Sequence, residues 1–536
     1  MKKKVKNFLV LIIVFILGII TERFEYDKIA TSFFKNTYDN ASRTLYNLST
    51  KEKIEIKIDQ KEYKKILETR NKAIQEGLLL EEMQRWVKAK LTHEDLTRDI
   101  DIRLKGVFPD HWSHSDRWSF KIRINNNSKP FNKLNRFNLQ TPETSSYVYE
   151  WLLMKALEKE NLISLGTKYY DLEINNKKLG AYMLQGGISE EVLKINNKET
   201  GPIVGFSKNL FLKELVNSRK MNKIGATGSL NGIEDNFWRE KIEPVQFSNS
   251  NLGKVQEKYL NDAIYLLEAF RKEKKKINEV FDIEKLSKIM VLRALLGSSE
   301  FDYRDTKFYY NPTSKLLEPI TKESHVDLNF NFKDHYFSWW IDSTNIKPHR
   351  PANKNFFLEI LYNDLRFHEF YLNQLNEFSK KKYFHELIND NRDEFDEIYK
   401  RIKNNYPSKK IFSLNQIEIN RLRIQDFLNP VQGINVYFSN YNENLLKLNI
   451  SNLQRLPIEI IGIEFDDGTK ILLNEKTILK GKKPQTSTDN IIVKFDCKFR
   501  EECKKSMIDK QSVLFQVLGQ KKTKKANISM HYFKSE

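Results

Sequence analysis

In 536 residues the chain carries 90 Lys and Arg against 71 Asp and Glu, a formal charge of +19, with 40% hydrophobic and 12% aromatic side chains. That balance excludes a polytopic membrane protein, a collagen-like fibre and a wholly disordered chain, and 35 Phe with 23 Tyr suffice for a sizeable core. Two cysteines exclude a disulfide-dense scaffold and a four-cysteine zinc site. Lysine is spread along the whole length, and no RNA-binding signature, cysteine/histidine finger or basic heptad region occurs, so no nucleic-acid partner is expected.

Residues 1–23 read as an address. Lys2, Lys3, Lys4 and Lys6 precede Phe8 to Ile20, 13 residues without a polar side chain, and Glu22 and Arg23 end the run. As a helix this run spans about 20 Å at roughly 1.5 Å per residue, short of the ~30 Å hydrocarbon core. The length suits a signal-peptide core. The exit, Gly18-Ile19-Ile20-Thr21-Glu22, lacks the small-residue pair that cleavage needs, and Val5 and Thr21 extend the segment. The expectation is an uncleaved signal anchor, with a cleaved signal or a buried helix as alternatives. The lysines stay cytoplasmic, so the chain is expected to be a single-pass membrane protein with its main domains extracytoplasmic. Export makes Cys497 and Cys503 disulfide candidates across the turn KFREE, with a free pair as the alternative.

Residues 24–52 read as a polar, partly helical stalk. Period-two alternation predicts strands at Lys53 to Asp59, Asp99 to Lys105, Trp118 to Asn125 and Asn135 to Gln140. Leu, Ile and Met recur with helical spacing from Lys61 to Lys90. A helix follows at about Ser145 to Glu160, then a hairpin of Tyr169 to Ile174 and Leu179 to Leu184 around Asn175 to Lys178. Helical patterns cover about Val255 to Leu296 and Asn355 to Lys403. Beyond Pro430, short alternating runs such as INVYFSN and SVLFQVL suggest a small β-sandwich at 430–536. The fold class expected is α+β, with a mixed domain at 53–429.

Three clusters offer chemistry. Lys105-Gly106-Val107-Phe108-Pro109-Asp110-His111-Trp112 and Asp116-Arg117-Trp118 read either as a packed turn or as a cationic loop meeting phosphates through Lys105 and Arg117. Glu150 on the helix is either an exposed acid or one that holds a phosphate-binding cation in place. The run from Phe301 to Phe330 holds Asp302, Asp305, Glu318, Glu323 and Asp327 about a turn at Asn311-Pro312-Thr313. It reads as a solvated hairpin, or as one that brings Asp302 near Glu323 or Asp327 to bind magnesium on substrate phosphates.

The stretches KGVFPDHW, RWSFKIRI, NRFNLQTPETSSYVYEWLLMKAL, NNKKLGAYML, ETGPIVGFSKNLF and KFYYNPTSKLLEPI together resemble the CotH family, spore-coat-protein-H-like proteins with a reduced protein-kinase-like fold. The likeness covers about residues 53 to 400. It implies an ATP-dependent kinase using Mg or Mn and phosphorylating hydroxyl groups of exported or cell-surface proteins. By the resemblance, Arg117 and Lys105 meet nucleotide phosphates, Glu150 is the helix acid, Asp302 is the catalytic base, and Glu323 with Asp327 bind metal. The chain departs from the family at Arg304-Asp305, where relatives show His-Asn, at Gln185, where they carry glutamate, and at Glu323, where they carry aspartate. A catalytically degenerate envelope scaffold is therefore the alternative.

Overall fold

The computed structural model describes residues 52–223, 236–245, 254–298, 303–327, 332, 356–481, 490–497, 500–504 and 507–530. The expected anchor, nearly all of the stalk and Asp302 lie outside the described residues. Among the described residues no helix is long and apolar enough to cross a membrane. The chain is α+β and divides into two compact units, both discontinuous in sequence.

The first unit takes residues up to 151, 167–186 and 391–413. Its strands are β1 (Lys53–Lys57), β2 (Val87–His93), β3 (Leu96–Leu104), β4 (Phe120–Ile124), β5 (Arg136–Gln140), β6 (Thr167–Ile174) and β7 (Lys177–Gly186). They form a closed barrel in the order β1-β2-β3-β4-β5-β7-β6, sealed by parallel pairing of β1 with β6. Alternation makes this interior: Ile54, Ile56, Leu91, Ile100, Ile102, Ile122, Phe137 and Leu139 are buried, while Lys88, Lys90 and Asp99 between them are exposed. The helical spacing expected to run from Lys61 to Lys90 holds only for the helix Gln60–Glu76. Gly77 ends it with φ +74°, a left-handed stop that costs glycine little. Val87, Ala89 and Leu91 then alternate inward as β2, the strand that the helical reading hid.

Residues 391–413 return to this barrel and are fixed to it by side chains. Asn405 Oδ1 on the helix Arg392–Asn405 accepts from the Ala181 N–H at 3.0 Å, and Trp151 Nε1 donates to Glu394 Oε1 at 2.9 Å. The Ser413 N–H donates to the Tyr149 hydroxyl at 3.0 Å, and Arg401 stands 3.6 Å from the Asp171 carboxylate.

The second unit takes residues 152–166, 187–390 and everything from 414 onward. Strands β8 (Ile203–Phe206), β9 (Ile242–Pro244), β10 (Lys307–Tyr310) and β11 (Leu317–Ile320) form a sheet in the order β11-β10-β8-β9. The β10–β11 hairpin is the one expected around Asn311. The long helical patterns break into shorter helices, Lys254–Arg271 and Ile283–Leu296, then Phe356–Asn363, Leu365–Lys380 and Tyr383–Asp390. Asp282 starts the second of these by accepting from the Lys285 N–H at 3.1 Å. Phe270, Phe281, Phe308 and Phe357 close a ring of aromatic contacts with centroids 5.0 to 6.1 Å apart, joining helices to sheet.

The terminal strands are β12 (Ile434–Asn442), β13 (Leu445–Asn452), β14 (Ile458–Glu464), β15 (Lys470–Leu479), β16 (Asn490–Asp496), β17 (Ser512–Val517) and β18 (Lys524–Ser529). The expected sandwich is one continuous sheet, β15-β14-β17-β18-β12-β13-β16, because β18 pairs antiparallel with β17 and parallel with β12. Ile450 and Phe495 from one half share a single core with Ile463 and Phe515 from the other. Cys497 and Cys503 are bonded within that core.

His368, on the helix Leu365–Lys380, is 3% exposed, and burial lowers its pKa to about 3. An unfolded chain takes up this proton near pH 6.5, so between pH 6.5 and 3 the unfolded state binds more protons and stability falls as pH falls. The expected loss is about 1.4 kcal/mol per pH unit across that window. Denaturant melts of the native chain and His368→Gln at pH 6.5 and 4.5 should show a smaller decrement in the variant.

Candidate functional site

In the first unit the connection from β3 to β4, residues 105–119, is a tightly held loop. The Lys105 N–H donates to Ser119 O at 2.8 Å, and the Ser119 N–H donates to His111 O at 2.7 Å. His111 Nδ1 lies 3.1 Å from Ser119 Oγ. Arg70, from the helix Gln60–Glu76, donates to the carbonyls of Trp112, Ser113 and His114 at 2.8 to 3.0 Å and lies over the Trp118 ring. Gly106 lets the chain turn: its φ is +86°, and a Cβ there would stand 1.9 Å from the His111 ring.

This loop places two of the expected cations, Lys105 and Arg117, at its two ends, and both are buried. Arg117 is 8% exposed. Its guanidinium stacks over the Tyr406 ring at 4.9 Å, its Nη2 lies 3.4 Å from His114 Nε2, and Glu143 stands 3.9 Å away. Among the described residues Arg117 Nε has no hydrogen-bond partner, nor does the fully buried Tyr182 hydroxyl, which burial lifts well above the ordinary phenol range. His114 and Lys177 hold the Asp116 carboxyl well below the usual carboxylate range. That pairing ties up Asp116, the acid next to Arg117 in sequence.

Glu150 is fully buried and accepts from Gln185 Nε2 at 2.6 Å. Burial, with the Glu150 carboxylate adding to it, raises the Tyr169 hydroxyl well above its ordinary value. Gln185 thus has a physical reason: it donates to Glu150, whereas a glutamate at 185 would set two carboxylates against each other in a dry site.

In the second unit the acids gather at one end of the β10–β11 hairpin. Lys307 pairs with Ile320, so the residues just outside the ladder meet. Lys322 Nζ stands 3.8 Å from Asp305 Oδ1 and 3.8 Å from Glu323 Oε2, Lys208 Nζ lies 3.1 Å from Asp305, and His325 Nε2 lies 3.3 Å from Glu323. Burial by itself would lift the Asp305 carboxyl, but Lys208 and Lys322 outweigh it and hold the group well below the usual range. Glu323 and His325 have φ of +54° and +40°, a strained backbone for side-chain-bearing residues. Arg293 fixes it, donating to Thr321 Oγ1 and to the carbonyls of Lys322 and Glu323. Asp327 follows, its N–H bonded to Gly297 O at 3.0 Å.

Glu323 and Asp305 thus flank the same Lys322 ammonium, and the sequence reading counted Asp305 in the acidic run but gave it no role. Lys208, Lys322, Arg293 and His325 also escaped it. The hairpin register, extended two or three residues past Lys307 and Ile320, was the available signal. Among the described residues no group of three His, Cys, Asp or Glu side chains is placed to hold a metal ion.

No family model and no curated protein matches the chain. Among solved structures, the crystal structure of the Helicobacter pylori proinflammatory kinase CtkA matches with a TM-score of 0.16 and 9% identity, over 63% of this chain and 92% of that one. A TM-score of that size establishes no shared fold, so function rests on the residues themselves.

The loop geometry gives a direct test. Gly106→Ala meets both the positive φ and the His111 ring, and should cost about 2 kcal/mol or more. A denaturation midpoint unchanged from the native chain would show that the turn is not held as described.

Proposed function

We propose that this chain is a CotH-type phosphotransferase, anchored by residues 1–23 and working outside the membrane, which moves the γ-phosphoryl group of ATP to a hydroxyl of an exported or cell-surface protein. The observation that carries the reading is Arg117: a buried guanidinium whose Nε–H has no partner and which has no acid closer than 3.9 Å among the described residues, the receptor an oxyanion such as a phosphate fits. The Cys497–Cys503 bond supports an oxidising, exported location.

In this mechanism Arg117 and Lys105 bind and orient phosphate oxygens, and Glu150 with Gln185 braces the helix beside the barrel. Asp302, outside the described residues, takes the proton of the acceptor hydroxyl as its oxygen bonds to the γ-phosphorus and the bond to the β,γ-bridging oxygen breaks, releasing ADP. Glu323, with Asp305 or Asp327, suits magnesium by donor chemistry, since all are hard carboxylate oxygens. Lys322, drawn to both Glu323 and Asp305, supports the view that this pair attracts a cation. When bound, the metal supplies charge neutralisation for the transferring phosphoryl group.

A second reading, a catalytically degenerate envelope scaffold, draws on the same lysine. If Lys322 permanently occupies the place of the metal, the acids are structural and no phosphoryl group moves. The two readings separate in one assay. The full-length chain, incubated with γ-labelled ATP and Mg²⁺ or Mn²⁺ and a membrane-surface protein fraction, should transfer label. Glu323→Gln and Arg117→Gln should each lower the rate at least roughly a hundredfold, the scale of losing an electrostatic stabiliser of the transition state. Absence of label with a normally folded native chain favours the scaffold.

A further inference from the structure

The terminal sheet holds a cavity with its own chemistry, unrelated to phosphoryl transfer. Strands β12 and β18 run parallel but pair only at Val436 with Ile528 and Tyr437 with Ser529. Upstream they diverge, and the notch between them opens into a cavity of about 460 Å³. That volume falls within the roughly 300–1,000 Å³ of small-ligand sites. Phe515 and Ala526 contribute apolar lining; Gln432, Asn435, Tyr437, Asn527 and Lys524 supply the polar groups.

Hydrogen bonding within the lining leaves donors in surplus. Asn435 uses its side-chain oxygen to accept from Gln432 at 3.0 Å, and Asn527 uses its oxygen to accept from Ser512 at 3.3 Å. Among the described residues neither amide NH₂ group has a partner. Lys524 Nζ donates to the Pro430 carbonyl at 2.6 Å, and among the described residues no carboxylate lies within 4 Å of it. Its neighbour Lys525 is neutralised by Glu464, so Lys524 is the net charge of the cavity. Burial, with nearby Lys522 adding to it, lowers the Lys524 pKa.

Two amide donors and one uncompensated ammonium ask for an acceptor-rich, negatively charged ligand. An added peptide strand is disfavoured by length: the two positions upstream of the paired ones give only about 7 Å at roughly 3.3 Å per residue. A sugar acid fits better, offering a carboxylate or sulfate to Lys524, oxygens to the amides and an apolar ring face to the Tyr437 ring. We propose that this cavity is a binding site for an acidic oligosaccharide, one unit of which inserts between β12 and β18 with its anionic group on Lys524.

Calorimetric titration of the full-length chain tests this with four probes: a galacturonic acid tetramer, its methyl-esterified neutral form, a chondroitin sulfate tetrasaccharide and inorganic sulfate. At least one acidic tetramer should bind, with the esterified form and free sulfate weaker by roughly tenfold or more, the scale of one charge-assisted hydrogen bond. Lys524→Gln, which keeps a donor for Pro430, should weaken binding by a similar factor, and Lys524→Arg should restore it. Asn435→Trp, at a half-exposed position, should fill the notch and abolish binding without lowering the melting temperature. Binding of sulfate as tight as that of the tetramers, unchanged binding in Asn435→Trp, or no binding of either acidic tetramer would overturn the proposal. Because the readout is sugar binding, its failure leaves the phosphotransferase reading untouched.

Discussion

Removing a guanidinium from water costs several kcal/mol unless acceptors take the place of its solvent, and at Arg117 that replacement is incomplete. A ring face, a histidine nitrogen and a carboxylate at 3.9 Å surround it, while its Nε–H has no acceptor among the described residues. The surrounding structure holds it there regardless. Gly106 turns the loop, Arg70 anchors three of its carbonyls, and the β3 and β4 ends are tied by Lys105 to Ser119. The loop thus invests backbone order in keeping one cation dry. Under the proposed function a bound oxyanion would complete its hydrogen bonding, which is why that proposal starts there.

The acidic end of the β10–β11 hairpin follows a related logic. Arg293 binds the carbonyls of Lys322 and Glu323 and so stabilises a backbone that Glu323 and His325 would not adopt unaided. Lys208 and Lys322 keep Asp305 ionised despite burial. Asp305 and Glu323 are thereby held against the ammonium groups of Lys208 and Lys322.

Much of the barrel was legible because period-two alternation maps directly onto inward and outward faces; β1, β3, β4, β5 and the β6–β7 hairpin all follow it. The strand β2 was not, since Lys61 to Lys90 carries apolar residues that also satisfy helical spacing, although the left-handed turn at Gly77 and a short 3-10 helix at Glu81–Met83 separate helix from strand. In the terminal sheet, pairing of β18 with both β17 and β12 joins what alternation suggests are two layers. Strand pairing is a long-range choice that spacing does not encode. Lys105, Arg117 and Glu150 stood out by residue type and resemblance. Asp305 and Lys322 gain their roles from hairpin register, and Arg293 from a helix distant in sequence.

The central claim is that the buried Arg117 guanidinium receives a nucleotide phosphate, and affinity measures this more directly than turnover. Calorimetry should show Mg²⁺–ATP binding to the full-length chain, and Arg117→Gln, folded to the same melting temperature, should bind at least roughly tenfold more weakly. Equal affinity in the two proteins would contradict the account, because it would leave the unused donor of Arg117 without a phosphate to meet.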